Sequence, residues 1–319
     1  MRRRNARFSY VLWILFPALL AGCASQKPPS AQFATLPEAR RGFVTKVTYS
    51  KVVKEPVEQA PPTILRTLKY PAPSGELAAY VTPDPGDGKK HPAIVWITGG
   101  DCNSIGDVWS PARRENDQTA SSYRQAGIVM MFPSLRGGND NPGVKEGFYG
   151  EVDDVLAATD FLERQPYVDP KRIYLGGHST GGTLVLLVAE CSNRYRAVFS
   201  FGPVDNVAGY GADPAFLPFD ISNEKEVQLR SPGYWLASIQ SPVWVLEGAD
   251  GTVNNAGSLR KMYHTTHNSM THFLEVQYAD HFSILAPTNT FIAAKILEDT
   301  GATSNLQLPQ GKVNENFGR

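Results

Sequence analysis

Cysteine is scarce, with 3 in 319 residues. No C-x-x-C or paired Cys/His spacing is present, so a cysteine-ligated metal is not expected. Neither sign of charge is in excess, since 31 basic residues balance 31 acidic ones. That does not suit a polyanion, and nucleic-acid binding is disfavoured. There is no internal repeat. With 42% hydrophobic and 19% charged residues, the composition also rules out wholesale disorder, a collagen-like repeat or a coiled coil. The most apolar run, residues 8–20, falls short of the about 20 residues a spanning helix needs. What is present suits one large domain with tails.

The balance of charge hides an asymmetry. Residues 1–22 hold Arg2, Arg3, Arg4 and Arg7 and no acid. Without these four, 27 basic residues face 31 acidic ones, a net charge of −4. The arginines precede the apolar run, which carries Pro17 and ends in small residues, so the segment reads as a secretory signal. The alternative is a short anchor that stays attached. The ending Leu20-Ala21-Gly22-Cys23 resembles a bacterial lipoprotein signal. That resemblance implies cleavage before Cys23, lipidation of Cys23 and membrane tethering. Ala24 in place of Asp implies sorting to the outer membrane, facing the periplasm. Acyl chains on one residue anchor a protein at about 0.8 kcal/mol per buried methylene. Cys102 and Cys191 are not expected to pair. Cys191 should lie about 18 Å down a helix whose top is near Cys102, and a disulfide needs Cα atoms within about 7 Å.

Residues 23–61, rich in Pro, Gln, Ala and Lys, read as a tether with some structure around 42–50. Residues 301–319 read as a flexible polar tail. Between them, over 62–300, strand and helix patterns alternate. A hairpin is expected from 63–70 and 76–82, and buried strands from the apolar runs 92–98, 128–132, 172–175, 197–201, 242–246 and 273–278. Helices are expected over 113–126, 149–164, 180–190, 255–266 and 287–300. This order argues for an α/β fold with a mostly parallel sheet covered on both faces. Residues 206–235 break the rhythm with Tyr210, Phe216, Phe219, Tyr234 and Trp235. They read either as a cap over the C-terminal edge of the sheet, where ligands bind in such folds, or as an excursion packed to one side.

Gly177-His178-Ser179-Thr180-Gly181 matches G-x-S-x-G between a strand and an apolar helix, the required strand–turn–helix context. There Ser179 is the candidate nucleophile. A serine needs a base, and His281, in the loop after the last strand, is the candidate among six histidines. His178 should point away from the Ser179 hydroxyl. His264 and His267 sit on a helix, and His91 and His272 at strand starts. The base needs a carboxylate to fix its tautomer. Asp250 follows the preceding strand in the order Ser…Asp…His. Asp205 is the runner-up, Asp280 adjoins the histidine and should diverge from it, and Glu247 reads as structural. An oxyanion hole needs two backbone N–H donors. Thr180 should supply one, and Gly100 or Asp101 the other.

These residues together resemble the α/β-hydrolase superfamily, and more narrowly the catalytic domain of the prolyl oligopeptidase family. The resemblance runs over about 62–300. It is carried by Leu135-Arg136-Gly137-Gly138, Gly150-Glu151-Val152-Asp153-Asp154-Val155, Val168-Asp169-Pro170, the Ser179 elbow and Gly248-Ala249-Asp250-Gly251. It implies about eight strands, a covalent acyl-enzyme and no cofactor. Two departures stand out. Only about 40 residues separate Cys23 from the domain, too few for the propeller such peptidases carry. Thr98-Gly99-Gly100 also stands where many esterases have His-Gly-Gly. The expected activity is therefore hydrolysis of a small-molecule ester or small amide. Action on short peptides comes second, and a non-catalytic scaffold used for binding is the competing class.

Overall fold

The computed structural model describes residues 34–51 and 53–317. The signal segment and Cys23 lie outside them. Eight strands form one sheet: β1 (Arg66–Ala72), β2 (Gly75–Val81), β3 (His91–Ile97), β4 (Val129–Pro133), β5 (Val168–His178), β6 (Ala197–Phe201), β7 (Val243–Gly248) and β8 (Thr271–Val276). Their order is β1-β2-β4-β3-β5-β6-β7-β8. The hairpin β1–β2 is antiparallel, β2 pairs antiparallel with β4, and every pair from β4 to β8 is parallel. The expected eight-stranded, mostly parallel sheet is therefore present.

The apolar runs form central strands because both sheet faces are covered. Along β3, Ala93, Val95 and Ile97 enter one core while Ile94 and Trp96 enter the other. Helices α3 (Glu151–Glu163), α4 (Thr180–Cys191) and α6 (Ala256–Thr265) cover the first core through residues such as Val155, Leu184 and Met262. Helices α2 (Ser122–Gln125) and α7 (Leu285–Glu298) cover the second, through Tyr123, Ile292 and Ile296. Glu151, Asp153 and Asp154 open α3, where acids complement the helix dipole.

Three expectations are corrected. The helix expected over 113–126 is reduced to α2 and a 3₁₀ turn at Arg114–Asn116. Asp117 Oδ1 accepts from the Thr119 amide at 3.0 Å and its hydroxyl at 2.5 Å. Such local side-chain bonds compete with helix, and Ala120 has φ 45°. The tether, from residue 34 onward, is packed onto the domain. Thr35 and Glu38 form a capping box on α1 (Leu36–Arg40), which buries Leu36 and Ala39. Beyond it, Val47 bridges Phe219, the Thr48 amide donates to Pro218 O, and the Lys46 amide and Thr45 hydroxyl donate to Glu226. Finally, the tail expected to be flexible buries Leu306, Leu308 and Val313. Its helix α8 (Gln310–Asn314) lies along β8, with Gln310 Nε2 donating to Glu275 O. Polar composition conceals these three apolar anchors, whose uneven spacing gives no helical or strand period.

Residues 206–235, including α5 (Glu224–Gln228), pack beside the start of α4. The Tyr210 hydroxyl lies 2.7 Å from Thr183 Oγ1 in the first turn of α4. Tyr210 stacks on Phe148 at 5.7 Å, with Phe216 edge-on to both. The segment thus borders the C-terminal edge of the sheet and also contributes Val207, Leu217 and Trp235 to the first core. Cys102 and Cys191 are free thiols.

Candidate active site

Ser179 joins β5 to α4 with φ 56° and ψ −113°, a conformation that costs an L-residue energy and persists only when its surroundings enforce it. The Ser179 amide donates to Phe201 O at 2.7 Å, and its carbonyl accepts from the Thr183 amide at 2.9 Å. The elbow closes only because its flanks carry no side chain. A Cβ on Gly177 would lie 2.6 Å from Gly181 O, and one on Gly181 2.3 Å from Ile97 O.

His281 is buried in the turn between β8 and α7. Its Nδ1 lies 2.9 Å from Glu247 Oε2. A carboxylate can only accept, so Nδ1 carries a proton, and in the neutral ring it is Nε2 that holds the lone pair. Glu247 is itself buried and oriented. Its Oε1 accepts from the Gly248 amide at 2.8 Å and its Oε2 from the Asn255 amide at 3.1 Å. Asp250, expected to face the histidine, is exposed. Its backbone amide donates to Ala279 O at 2.9 Å, but its side chain does not touch His281. The reason is the length of β7, which runs to Gly248 and so ends with Glu247 already beside the His281 turn. A signal was available: a carboxylate in the buried run VWVLEG requires a partner. Asp205 is taken by Lys261 Nζ at 2.5 Å and Ser258 Oγ at 2.8 Å. Asp280 accepts from the Phe282 and Ser283 amides.

The other histidines have separate partners. His91 pairs with Asp87 at 3.0 Å, His272 stacks on Trp244, and His264 and His267 are exposed. His178 is buried, with its ring 4.6 Å from that of His281. This contact brings the elbow and the His281 turn together. The Ser179 hydroxyl makes no hydrogen bond among the described residues. Catalytic hydrogen bonds in unliganded sites are often long and tighten with substrate.

Thr180 Oγ1 donates to Gly100 O at 2.9 Å, holding the loop after β3 against the start of α4. The Thr180 amide, first in α4, has no intrahelical acceptor. The Gly99 amide is occupied by Gln118 Oε1 at 3.1 Å, which leaves the Gly100 and Asp101 positions beside Thr180. Lys145 Nζ lies 2.5 Å from Asp101 Oδ1. A cavity of about 180 Å³ opens there, bounded by Asp101, Lys145, Pro218 and, from the N-terminal segment, Tyr49, Ser50 and Val53. Burial, with Glu151 and Asp101 adding to it, pushes the nearby Cys102 thiol up to about 12. No thiolate therefore competes with Ser179. Among the described residues no cluster of three His, Cys, Asp or Glu could hold a metal.

Residues 115–243 match the prolyl oligopeptidase family. That stretch contains Ser179 and stops short of Glu247 and His281. Prolyl oligopeptidase A of Amanita bisporigera is 32% identical over 111 residues, covering 33% of this chain and 13% of that protein. The uncharacterized peptidase YtmA of Bacillus subtilis is 25% identical over 215 residues, covering 58% of this chain and 78% of that protein. A puromycin-hydrolyzing peptidase of Mycobacterium tuberculosis superposes with a TM-score of 0.60 at 19% identity, covering 77% of this chain and 41% of that structure. The chain therefore spans less than half the length of two of these three proteins. The superposition shows the α/β-hydrolase fold. With the family match, the relatives support a prolyl oligopeptidase-like serine hydrolase, a peptidase or an esterase.

Proposed function

We propose that this chain is a serine hydrolase that cleaves carboxylic esters or small amides through an acyl-enzyme on Ser179, with His281 as base and Glu247 as the acid that orients it. The observation that carries this reading is the 2.9 Å contact between Glu247 and His281 Nδ1 beside the elbow. His281 Nε2 takes the Ser179 proton as Oγ attacks the carbonyl carbon. The oxyanion is held by the amides of Thr180 and of Gly100 or Asp101. As the intermediate collapses, the bond to the leaving group breaks and His281 returns the proton to it. A water then repeats the sequence and releases the acid. None of these steps needs a cofactor.

Action on short peptides is the second reading, favoured by the prolyl oligopeptidase match over 115–243. Turnover of p-nitrophenyl acyl esters, measured beside aminoacyl nitroanilides, separates the two. A fluorophosphonate probe should label Ser179, and Ser179→Ala should lower kcat by roughly 10⁴–10⁶. Folded wild-type protein that neither labels nor turns over any ester or anilide would leave only a binding scaffold. The signal over residues 1–22 supports export and anchoring through a lipidated Cys23 in the outer membrane, facing the periplasm. Cys23→Ala should release the protein from the membrane fraction, and mass spectrometry of the mature N-terminus checks it.

A further inference from the structure

His178 occupies the variable position of the elbow, immediately before the nucleophile, yet its imidazole is buried and fully partnered. Nε2 lies 2.8 Å from the backbone carbonyl of His281. A carbonyl only accepts, so Nε2 carries the proton. Nδ1 is then an acceptor, and Gln118 Nε2 donates to it at 2.8 Å. The same amide nitrogen gives its second proton to Asn116 Oδ1 at 2.7 Å. Gln118 Oε1 accepts from the Gly99 amide at 3.1 Å. Since a backbone N–H only donates and a carbonyl only accepts, both ends of the chain fix every proton between them. Neither a flipped amide nor the other tautomer satisfies all four contacts.

The geometry points to His178 and Gln118 as positioning residues that tie the turn bearing His281 to the loop bearing Gly100, so that base and oxyanion donors are registered on one scaffold. This rests on the proposed roles of Ser179, His281 and Glu247. The chain of contacts runs from Gly99, next to the oxyanion loop, through the elbow to the main chain of the base. It fixes the base from behind while Glu247 fixes its ring from the side. Gly99 cannot carry a side chain without disturbing it, because a Cβ there would lie 2.8 Å from His178 Nδ1. Burial, reinforced by the neighbouring His281, pulls the His178 ring down to about 3, so the required neutral form persists across the working pH range. His178 touches no reacting atom. It acts on the geometry of the residue that does.

Two measurements test this. The first is steady-state kinetics of Gln118→Met and His178→Ala on a p-nitrophenyl ester, with folding checked by circular dichroism. Gln118→Met keeps length and volume but removes all three contacts of the amide. Misplacing a catalytic group by about 1 Å costs on the order of 10²-fold. Each variant should therefore lose roughly 10–100-fold in kcat with KM within about threefold, while fluorophosphonate still labels Ser179, only more slowly. A raised KM with kcat unchanged, or wild-type kinetics in both folded variants, overturns the proposal. The second measurement needs no variant. ¹H–¹⁵N correlation spectra of the wild-type protein should show His178 as a neutral Nε2–H tautomer from pH 5 to 9. The Nδ1–H tautomer, or titration within that range, overturns the proposal even if the variants fail to fold. The triad reading fails separately, through wild-type protein that neither labels nor turns over.

Discussion

Glu247 Oε2 sits 2.9 Å from His281 Nδ1, with both side chains buried, whereas Asp250, three positions further along, is exposed. The two carboxylates are close in sequence, but only one meets the requirements of a triad acid. It must be dry, so that its charge acts on the imidazolium at low dielectric, and it must be held, so that it orients the ring. Glu247 is held by two backbone amides, of Gly248 and Asn255. Glu247→Gln should lower kcat by about 10³–10⁴, as expected when the wrong tautomer is offered to the base. Asp250→Asn should stay within about threefold of wild type. Ester kinetics on the two variants check this, and the opposite ranking would restore Asp250 as the acid.

Gly202 closes the other side of the same pair. It has φ 59°, and a Cβ built there would lie 2.4 Å from His281 Cε1 and 2.8 Å from Glu247 Oε2. Gly202→Ala should therefore displace the imidazole, and kcat should fall by about 10² or more. The thermal midpoint should fall only modestly. Kinetics and a melting curve on the same preparation separate misplacement from misfolding.

Glu190 lies in α4 with both carboxyl oxygens buried and unpartnered among the described residues. Burial pushes its carboxyl well above the usual carboxylate range, with Arg40 opposing this in part. A carboxyl raised in the folded state contributes stability that is complete below its unfolded value, near 4.3, and is lost as pH rises through the folded value. Glu190→Gln is neutral at every pH. Its melting temperature should gain on wild type by a few degrees between about pH 5 and pH 8, since about 1 kcal/mol corresponds to roughly 2–4 °C in a domain of this size. A difference that does not change with pH would refute a protonated Glu190.

The N-terminal segment is fastened by a buried ion pair. Arg230 Nη1 lies 2.5 Å from Glu226 Oε2, with both side chains buried. The Arg230 guanidinium stacks 4.1 Å from the Phe219 ring centre, and Thr45 and Lys46 complete the bonds of Glu226. Glu226→Ala strands the arginine and should cost about 3–5 kcal/mol of stability, measured by urea denaturation. If the segment walls the cavity beside Asp101 as described, this variant should also accept bulkier acyl esters than wild type. An unchanged chain-length preference would show that the wall does not select.

The elbow was legible because the residues that mark it lie within one short stretch of sequence, although its backbone also closes against Phe201 and Ile97. An apolar run, two glycines and a second apolar run specify strand, turn and helix with no knowledge of the rest of the fold. The parallel sheet was legible for a similar reason, since alternating apolar segments have few ways to be buried. His281 followed from its place just beyond a strand end. The packed N-terminal segment was not legible, because Arg40 and Thr45 find their partners at Phe148, Tyr149, Leu229 and Glu226, and nothing in a proline-rich stretch announces such partners.

The chain's local order of residues thus settled the fold class, and it pointed to Ser179 and His281 as the nucleophile and base we propose. Backbone conformation is dictated over short stretches, and strand ends in a parallel sheet all point the same way. The choice of Glu247 over Asp250, and the chain from Gly99 through Gln118 and His178 to His281, came from the folded molecule alone. They depend on the exact length of β7 and on which side chains face one another between segments up to 182 positions apart. Sheet order and register set those meetings, and no local pattern encodes them.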